Sequence, residues 1–365
     1  MAPQPTTALR RGWTTGACAA AAARAAFAGL LTGRLPDAVT IRLPRGETPS
    51  FPVALAELDA KRARAGVIKD AGDDPDVTHG ALVIAEVAWA PDGSGIGFAA
   101  GEGVGTVTRP GLPLGVGEPA INPAPRALIT DMLTDLAEAN GAPAPDLTVT
   151  VSVPGGQKLA ERTMNARLGI VGGLSILGTT GVVVPYSCAS WIAAIHRGID
   201  VARAAGIDHL AAATGTTSER AVQQLYNMPE QALIDMGDFV GGTLKYLRTH
   251  PVERLTLAGG FAKLAKLAAG HLDLHSSRSR IDLAALSRLL DEVAGRAAAA
   301  RACDAASAGE ILAAAGAGAN ALAERIALQA REVALATLSG RTAIEVAVVD
   351  RNGAFLARAG GWAAV

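Results

Sequence analysis

The sequence predicts an α+β N-terminal domain over residues 1–153, joined to an α/β C-terminal domain with a mainly parallel sheet over residues 154–365. Three observations point there. Strand-like runs follow one another in the first half, with helices bunched at either end. Apolar runs alternate with amphipathic stretches in the second half. Two of those second-half runs end in glycine just before a helix opens.

The first helix is expected from Thr14-Thr15-Gly16 to about Leu31, stopping at Gly33. Thr14 or Thr15 caps its start, and the run of alanines from Ala19 to Ala23 allows close approach to a sheet. The same start is either a plain helix cap or an anion site. Strand-like runs follow at 38–43, 51–58, 63–68, 82–89 and 96–99, then a helix at 124–139 and a strand at 147–153. Gly101-Glu102-Gly103-Val104-Gly105-Thr106 superficially matches a dinucleotide fingerprint, but Pro110 excludes the helix that would receive a pyrophosphate. A hairpin or bulged strand is expected there, with Arg109 near its loop end.

In the second half, strands at 170–177, 210–213 and 254–257 alternate with helices at about 191–205, 218–226 and 261–268. Residues 168–195 lack any ionisable group except Tyr186 and Cys188, which is long enough for a membrane span. Gly172-Gly173, Gly178-Thr179-Thr180-Gly181 and Pro185 break the run, so buried strands around a glycine loop are expected instead. The crossings at Thr214-Gly215-Thr216 and Gly259-Gly260 are either plain tight turns or the ligand crevice of a Rossmann-like sheet, where ligands bind outside the carboxyl ends of strands. No GxxxxGK[ST] occurs, which counts against a nucleotide triphosphatase. Asp238 sits in a further loop, either as an N-cap or as a carboxylate for a ribose or an ammonium group. Helices at 282–300 and 307–338, tolerating Gly295, Gly316 and Gly318, read as scaffold and homo-oligomer material, and Asn352-Gly353 marks a closing hairpin.

The 33 Lys plus Arg nearly balance the 34 Asp plus Glu, for a formal charge of −1, so no basic field recruits nucleic acid or an anionic membrane. Cys18, Cys188 and Cys303 are odd in number and widely spaced, which argues against a disulfide framework and against a zinc site. A reducing cytoplasm fits, and the N-terminus has no apolar signal core.

The densest chemistry lies in Lys69-Asp70-Ala71-Gly72-Asp73-Asp74-Pro75-Asp76-Val77-Thr78-His79. Its spacing fails an EF-hand, because the third position from Asp70 is Gly72 and the twelfth is Ala81. Two readings remain. The carboxylates accept backbone N–H bonds and shape a turn, or their mutual repulsion raises a pKa and makes one a proton acceptor or a partner for a bound cation.

Four blocks extend this reading: Arg11-Gly12-Trp13-Thr14-Thr15-Gly16-Ala17-Cys18, the Lys69–Thr78 loop, Arg167-Leu168-Gly169-Ile170-Val171-Gly172-Gly173 through Gly181, and Gly260-Phe261-Ala262-Lys263 through Gly270. In this order they resemble the signature blocks of the cobalt-precorrin-5B C1-methyltransferase family of cobalamin biosynthesis. Departures are local: Thr214-Gly215-Thr216-Thr217-Ser218-Glu219 stands where the family has Pro-Gly-Asn-x-Gly-Glu, and Tyr186 replaces a Met. The resemblance implies transfer of a methyl group from S-adenosyl-L-methionine to a ring carbon of a carboxylate-rich tetrapyrrole whose cobalt arrives with it, so no protein metal is needed. It places the cofactor on Gly178, Thr179, Gly215, Thr216, Glu219, Asp238, Gly259 and Gly260. It places substrate carboxylates near Thr14, Thr15, Lys69, Arg109 and Lys263, with Asp76, Thr78 and His79 on the same side. One of Asp70, Asp73 or Asp74 is expected to face the cationic cofactor or act as base. Rival readings are a noncatalytic tetrapyrrole-binding or delivery protein and an NAD-dependent oxidoreductase.

Overall fold

The computed structural model describes residues 9–362, a mixed α/β chain with two five-stranded sheets. Its contacts separate two compact units, 1–188 and 189–365.

In the first unit the sheet order is Leu55–Leu58, Arg62–Ile68, Leu82–Trp89, Leu147–Ser152 and Ile96–Ala100. All neighbours are antiparallel except the last pair, which is parallel. The helix Thr15–Thr32 packs on Arg62–Ile68 and Leu82–Trp89, and on a second helix, Pro123–Ala139. Thr14 caps it, with its hydroxyl accepting the Ala17 N–H at 3.2 Å. Gly33, at φ 78°, ends it in the left-handed conformation that suits glycine. Ala17, Ala19–Ala23, Ala25 and Ala26 have no solvent exposure, so small side chains lie around the whole circumference and the helix is buried on all sides. It is long and apolar enough to cross a membrane, yet it is a core helix here.

Residues 154–188 pack with this first unit. The expected strand at 170–177 is broken up: Ile170–Val171 pairs with Thr106–Val107, while Leu174 and Ile176 make only single bridges. The glycine segment at 101–105 is threaded through the interior, where a Cβ on Gly103 would overlap the Val153 carbonyl. Close backbone approach, not phosphate binding, explains its glycines.

In the second unit Leu233–Asp235, His209–Ala213, Arg254–Gly260 and Ala343–Val349 run parallel in that order, and Phe355–Ala359 closes the edge antiparallel. One face carries a large core from Cys188–Ala204, Val240–Leu247, Phe261–Ala268, Leu283–Ala294 and Ala319–Leu338. The other face is covered by Thr216–Tyr226, packed on Ala211, Ala213, Ala258 and Ala347. The two long C-terminal helices expected from the sequence are each interrupted. Gly295 (φ 80°) and Gly316 (φ 58°) leave the helical region, giving Leu283–Ala294 then Arg296–Arg301, and Ala308–Ala315 then Ala319–Leu338. Glycine's freedom prevailed over propagation at both points.

Candidate functional site

Two clusters gather the residues singled out by the sequence, one in each unit.

In the first unit the Lys69–Gly80 loop is held by a web of bonds. Asp70 makes a two-pronged pair with the Arg10 guanidinium, Nη2 to Oδ1 at 2.9 Å, and accepts the Gly72 N–H at 2.9 Å. The bond from Arg10, with that N–H, holds the Asp70 carboxyl down to about 2. This is opposite to the rise expected from crowded carboxylates, because cationic and N–H partners outweigh the neighbouring anions. Asp73 accepts the Arg10 N–H at 2.6 Å, and Asp74 accepts the Tyr186 N–H at 2.9 Å. The backbone bond helps hold Tyr186 at φ 55°, with its ring exposed.

Lys69 is 2% exposed, with Nζ 2.5 Å from both Asp76 Oδ2 and Thr78 Oγ1. Asp76 Oδ1 accepts the Thr78 N–H at 2.7 Å and hydroxyl at 2.6 Å. Burial pushes the Asp76 carboxyl up, but the Lys69 charge and the bonds from Lys69 and Thr78 prevail and lower it. The ammonium expected to meet substrate is therefore committed inside the loop. His79 accepts the Ala71 N–H on Nδ1 at 3.1 Å and lies 3.9 Å from Asp70.

The loop seats against the chain before the first helix: a Cβ on Gly12 would overlap the Ala71 carbonyl carbon, and the Trp13 N–H donates to the Asp70 carbonyl at 2.7 Å. Gly178 packs on the Thr14 side chain, and Thr179 beside it is exposed. Gly178 and Thr179 thus lie in the first unit, beside the start of its long helix. Thr14 and Thr15 are buried. The helix start spends its Gly16 N–H on the Leu177 carbonyl at 3.1 Å and its Ala17 N–H on Thr14, so these donors serve the chain itself rather than an anion. Arg109 lies along Gly169, where a Cβ would come within 2.7 Å of its stem. The Cys18 thiol is pushed up to about 12 by burial and is no nucleophile.

In the second unit the strand order reverses between His209–Ala213 and Arg254–Gly260. The first leads through Thr216–Tyr226 to a strand on one side, and that strand returns through Val240–Leu247 to the other. The two glycine turns meet at this reversal. The Thr214 N–H donates to the Ala258 carbonyl at 2.9 Å, and a Cβ on Gly259 would come within 2.8 Å of Thr214 Oγ1. A Cβ on Gly215 or Gly260 would meet nothing within 4 Å. Thr216 opens the helix in the exposed first turn, and Glu219 is buried one turn on. Asp238, in the loop after Leu233–Asp235, pairs directly with Lys263 in the first turn of Phe261–Ala268. The structure thus joins a residue expected on the cofactor side to one expected on the substrate side. Trp191 borders the same loop, its Nε1 donating to the Asp235 carbonyl at 3.2 Å and its ring 3.4 Å from where a Gly237 Cβ would lie.

A shallow cavity of about 480 Å³ among Leu283, Arg288, Asp291, Cys303 and Ile311 contains none of these residues. Arg10 and Trp191 had no sequence signal, and Tyr186 stood out only as a replacement for a Met: each acts through a partner distant in the chain or through its own backbone.

The second unit is thus an α/β module, a mainly parallel sheet with two glycine turns at the point where its strand order reverses. Residues 2–185 match the family described as CbiD, and residues 273–360 match CbiD, C-terminal domain. A protein of Methylorubrum extorquens named cobalt-precorrin-5B C(1)-methyltransferase is 57% identical over 354 residues, spanning 96% of this chain and 98% of the relative. One of the same name from Brucella anthropi is 56% identical over 352 residues, spanning 96% and 95%. A crystal structure of the cobalamin biosynthesis protein cbiD from Archaeoglobus fulgidus is 30% identical, covers 74% of this chain and 83% of its own, and superposes with a TM-score of 0.41. The chain belongs to the CbiD family.

Proposed function

We propose that this chain methylates carbon 1 of cobalt-precorrin-5B, giving cobalt-precorrin-6A in cobalamin biosynthesis, with S-adenosyl-L-methionine as donor. The observation that carries this reading is the 57% identity to a relative of that name across 96% of this chain.

The second-unit turns fit the donor. We read the parallel sheet as a Rossmann-like module whose reversal point holds it. Gly215 and Gly260 present bare backbone to open space, so a flat, polar ligand can lie against them, and a side chain at either position would intrude. Gly215, Thr216, Glu219, Gly259, Gly260 and Asp238 would hold the cofactor. When bound, it supplies an electrophilic sulfonium methyl. The protein's part is then to orient and to exclude water. Lys263 holds the Asp238 carboxylate in place, and that carboxylate is suited to accept hydroxyl or ammonium protons.

In the first unit we assign the substrate's peripheral carboxylates to the surface around the Lys69–Gly80 loop. The pairing of Asp70 with Arg10 and of Asp76 with Lys69 supports this, because it neutralises carboxylates that would otherwise repel an anionic tetrapyrrole. Asp73 and Asp74, which accept the backbone N–H groups of Arg10 and Tyr186, remain for a polar role toward the ring.

A thermal-shift panel with S-adenosylhomocysteine, NAD and ATP tests the donor. Stabilisation by S-adenosylhomocysteine is expected; stabilisation by NAD alone would favour the oxidoreductase reading instead.

A further inference from the structure

The sheet face covered by Thr216–Tyr226 holds a buried polar network at the far end of that helix. Glu345 has no solvent exposure. The Tyr226 hydroxyl lies 2.9 Å from both of its carboxylate oxygens. Thr256 Oγ1 donates to Oε2 at 2.9 Å, and Arg358 Nε donates to Oε1 at 2.7 Å. Arg358 Nη2 donates to the Tyr226 hydroxyl as well, and the guanidinium lies 5.5 Å from the centre of the Tyr226 ring.

A carboxylate only accepts, so Thr256 gives its one proton to Glu345 and must accept from His209 Nε2, 2.9 Å away. His209 is therefore the neutral Nε2–H tautomer, in keeping with burial that pushes it down to about 4. Every member of the network has a partner, which makes it directional and stiff.

Between the two ends the helix buries Ser218, Glu219, Ala221 and Val222, and Val222 packs with Ala211, Ala213, Ala258 and Ala347 of the sheet. Hydrogen bonds to a buried carboxylate are directional, so those from Tyr226 oppose sliding of this end of the helix along the sheet. The helix is a rod about 16 Å long at ~1.5 Å per residue, with Tyr226 at one end and Gly215 as N-cap at the other. Thr256 lies on the strand that ends in Gly259 and Gly260. The network thus links the helix that carries one glycine turn to the strand that carries the other.

We infer that Tyr226, Glu345, Arg358 and Thr256 are positioning residues for the donor site, setting the Gly215 turn against the Gly259-Gly260 turn. This rests on the assignment of S-adenosyl-L-methionine to those turns. None of the four residues touches the ligand itself; they act through the helix and the strand.

Tyr226→Phe keeps the ring and deletes the hydroxyl. Calorimetric titration of the full chain with S-adenosylhomocysteine is expected to show Kd raised about tenfold, or ~1.4 kcal/mol. Thr256→Val is expected to act in the same direction, while Thr256→Ser, which keeps the hydroxyl, stays within about twofold of the unsubstituted protein. A lowered Tm with unchanged Kd in folded Tyr226→Phe and Thr256→Val would mean a purely structural role and would overturn the inference. Loss of folding in both variants would overturn it too. Absence of binding by the unsubstituted chain would instead bring down the donor-site assignment, and the inference with it, so the two failures are distinguishable.

Discussion

Gly178 lies directly against Thr14, the residue that caps the first helix, with no room between them for a β-carbon. Its φ of 129° is also one that other residues rarely adopt. Gly178→Ala is therefore expected to cost about 2–4 kcal/mol, from overpacking and backbone strain together. Urea denaturation measures this. Gly117→Ala, at φ 90° with nothing within 4 Å, isolates the strain and should cost only about 1–2 kcal/mol.

Lys69 and Asp76 form a pair whose ammonium is nearly solvent-free. Removing the cation by Lys69→Met strands the carboxylate and is expected to cost about 3 kcal/mol. Adding Asp76→Asn should cost less than the sum of the two single substitutions, a coupling that a double-mutant cycle in urea reads out. Because the Asp76 carboxyl is lowered in the folded state, its contribution is complete above the unfolded carboxylate range and is lost as pH falls through the folded value.

Asp70 behaves differently, since both it and Arg10 are largely exposed and screened by water. Its folded value of about 2 lies below the unfolded one near ~3.9, so its stabilisation is present above about pH 4 and fades as pH falls towards 2. Asp70→Asn should lower stability at neutral pH by less than about 1 kcal/mol, with the difference vanishing in acid denaturation series. A carboxylate held this acidic is a weak base, so methyl transfer near pH 7 is expected to stay within about threefold of the unsubstituted protein. A loss of several orders of magnitude would restore Asp70 as the base.

Gly215 and Gly260 offer a contrast between fold and ligand. Both have extended backbone that other residues adopt freely, φ 169° and −68°, and both face open space. Gly260→Ala and Gly215→Val should leave Tm within about 2 °C while weakening S-adenosylhomocysteine binding by roughly tenfold or more. Unchanged binding in either variant would move the donor away from that turn.

Local signals were legible and distant ones were not. The first helix was readable to within a residue or two because Thr14 and Gly33 carry their own stop and start chemistry. The crossings at Gly215 and Gly260 were readable because strand, glycine and helix follow in sequence. The same local rules misjudged Gly295 and Gly316, where context decided whether a glycine is tolerated or ends a helix. The partners of the aspartates lay beyond reach, since Arg10 is 60 residues from Asp70 and Tyr186 is 112 from Asp74. Tyr226, Glu345 and Arg358 carry no motif at all and become a network only when the fold brings Thr256 to Glu345 across 89 residues and Tyr226 to Glu345 across 119.

The most direct measurement is anaerobic incubation of the purified full chain with cobalt-precorrin-5B and S-adenosyl-L-methionine carrying a ¹³C-labelled methyl group, followed by mass spectrometry and NMR of the tetrapyrrole. One labelled methyl on carbon 1 is the expected product. A folded protein that binds the tetrapyrrole yet leaves it unlabelled would contradict the methyltransferase reading and favour a noncatalytic carrier.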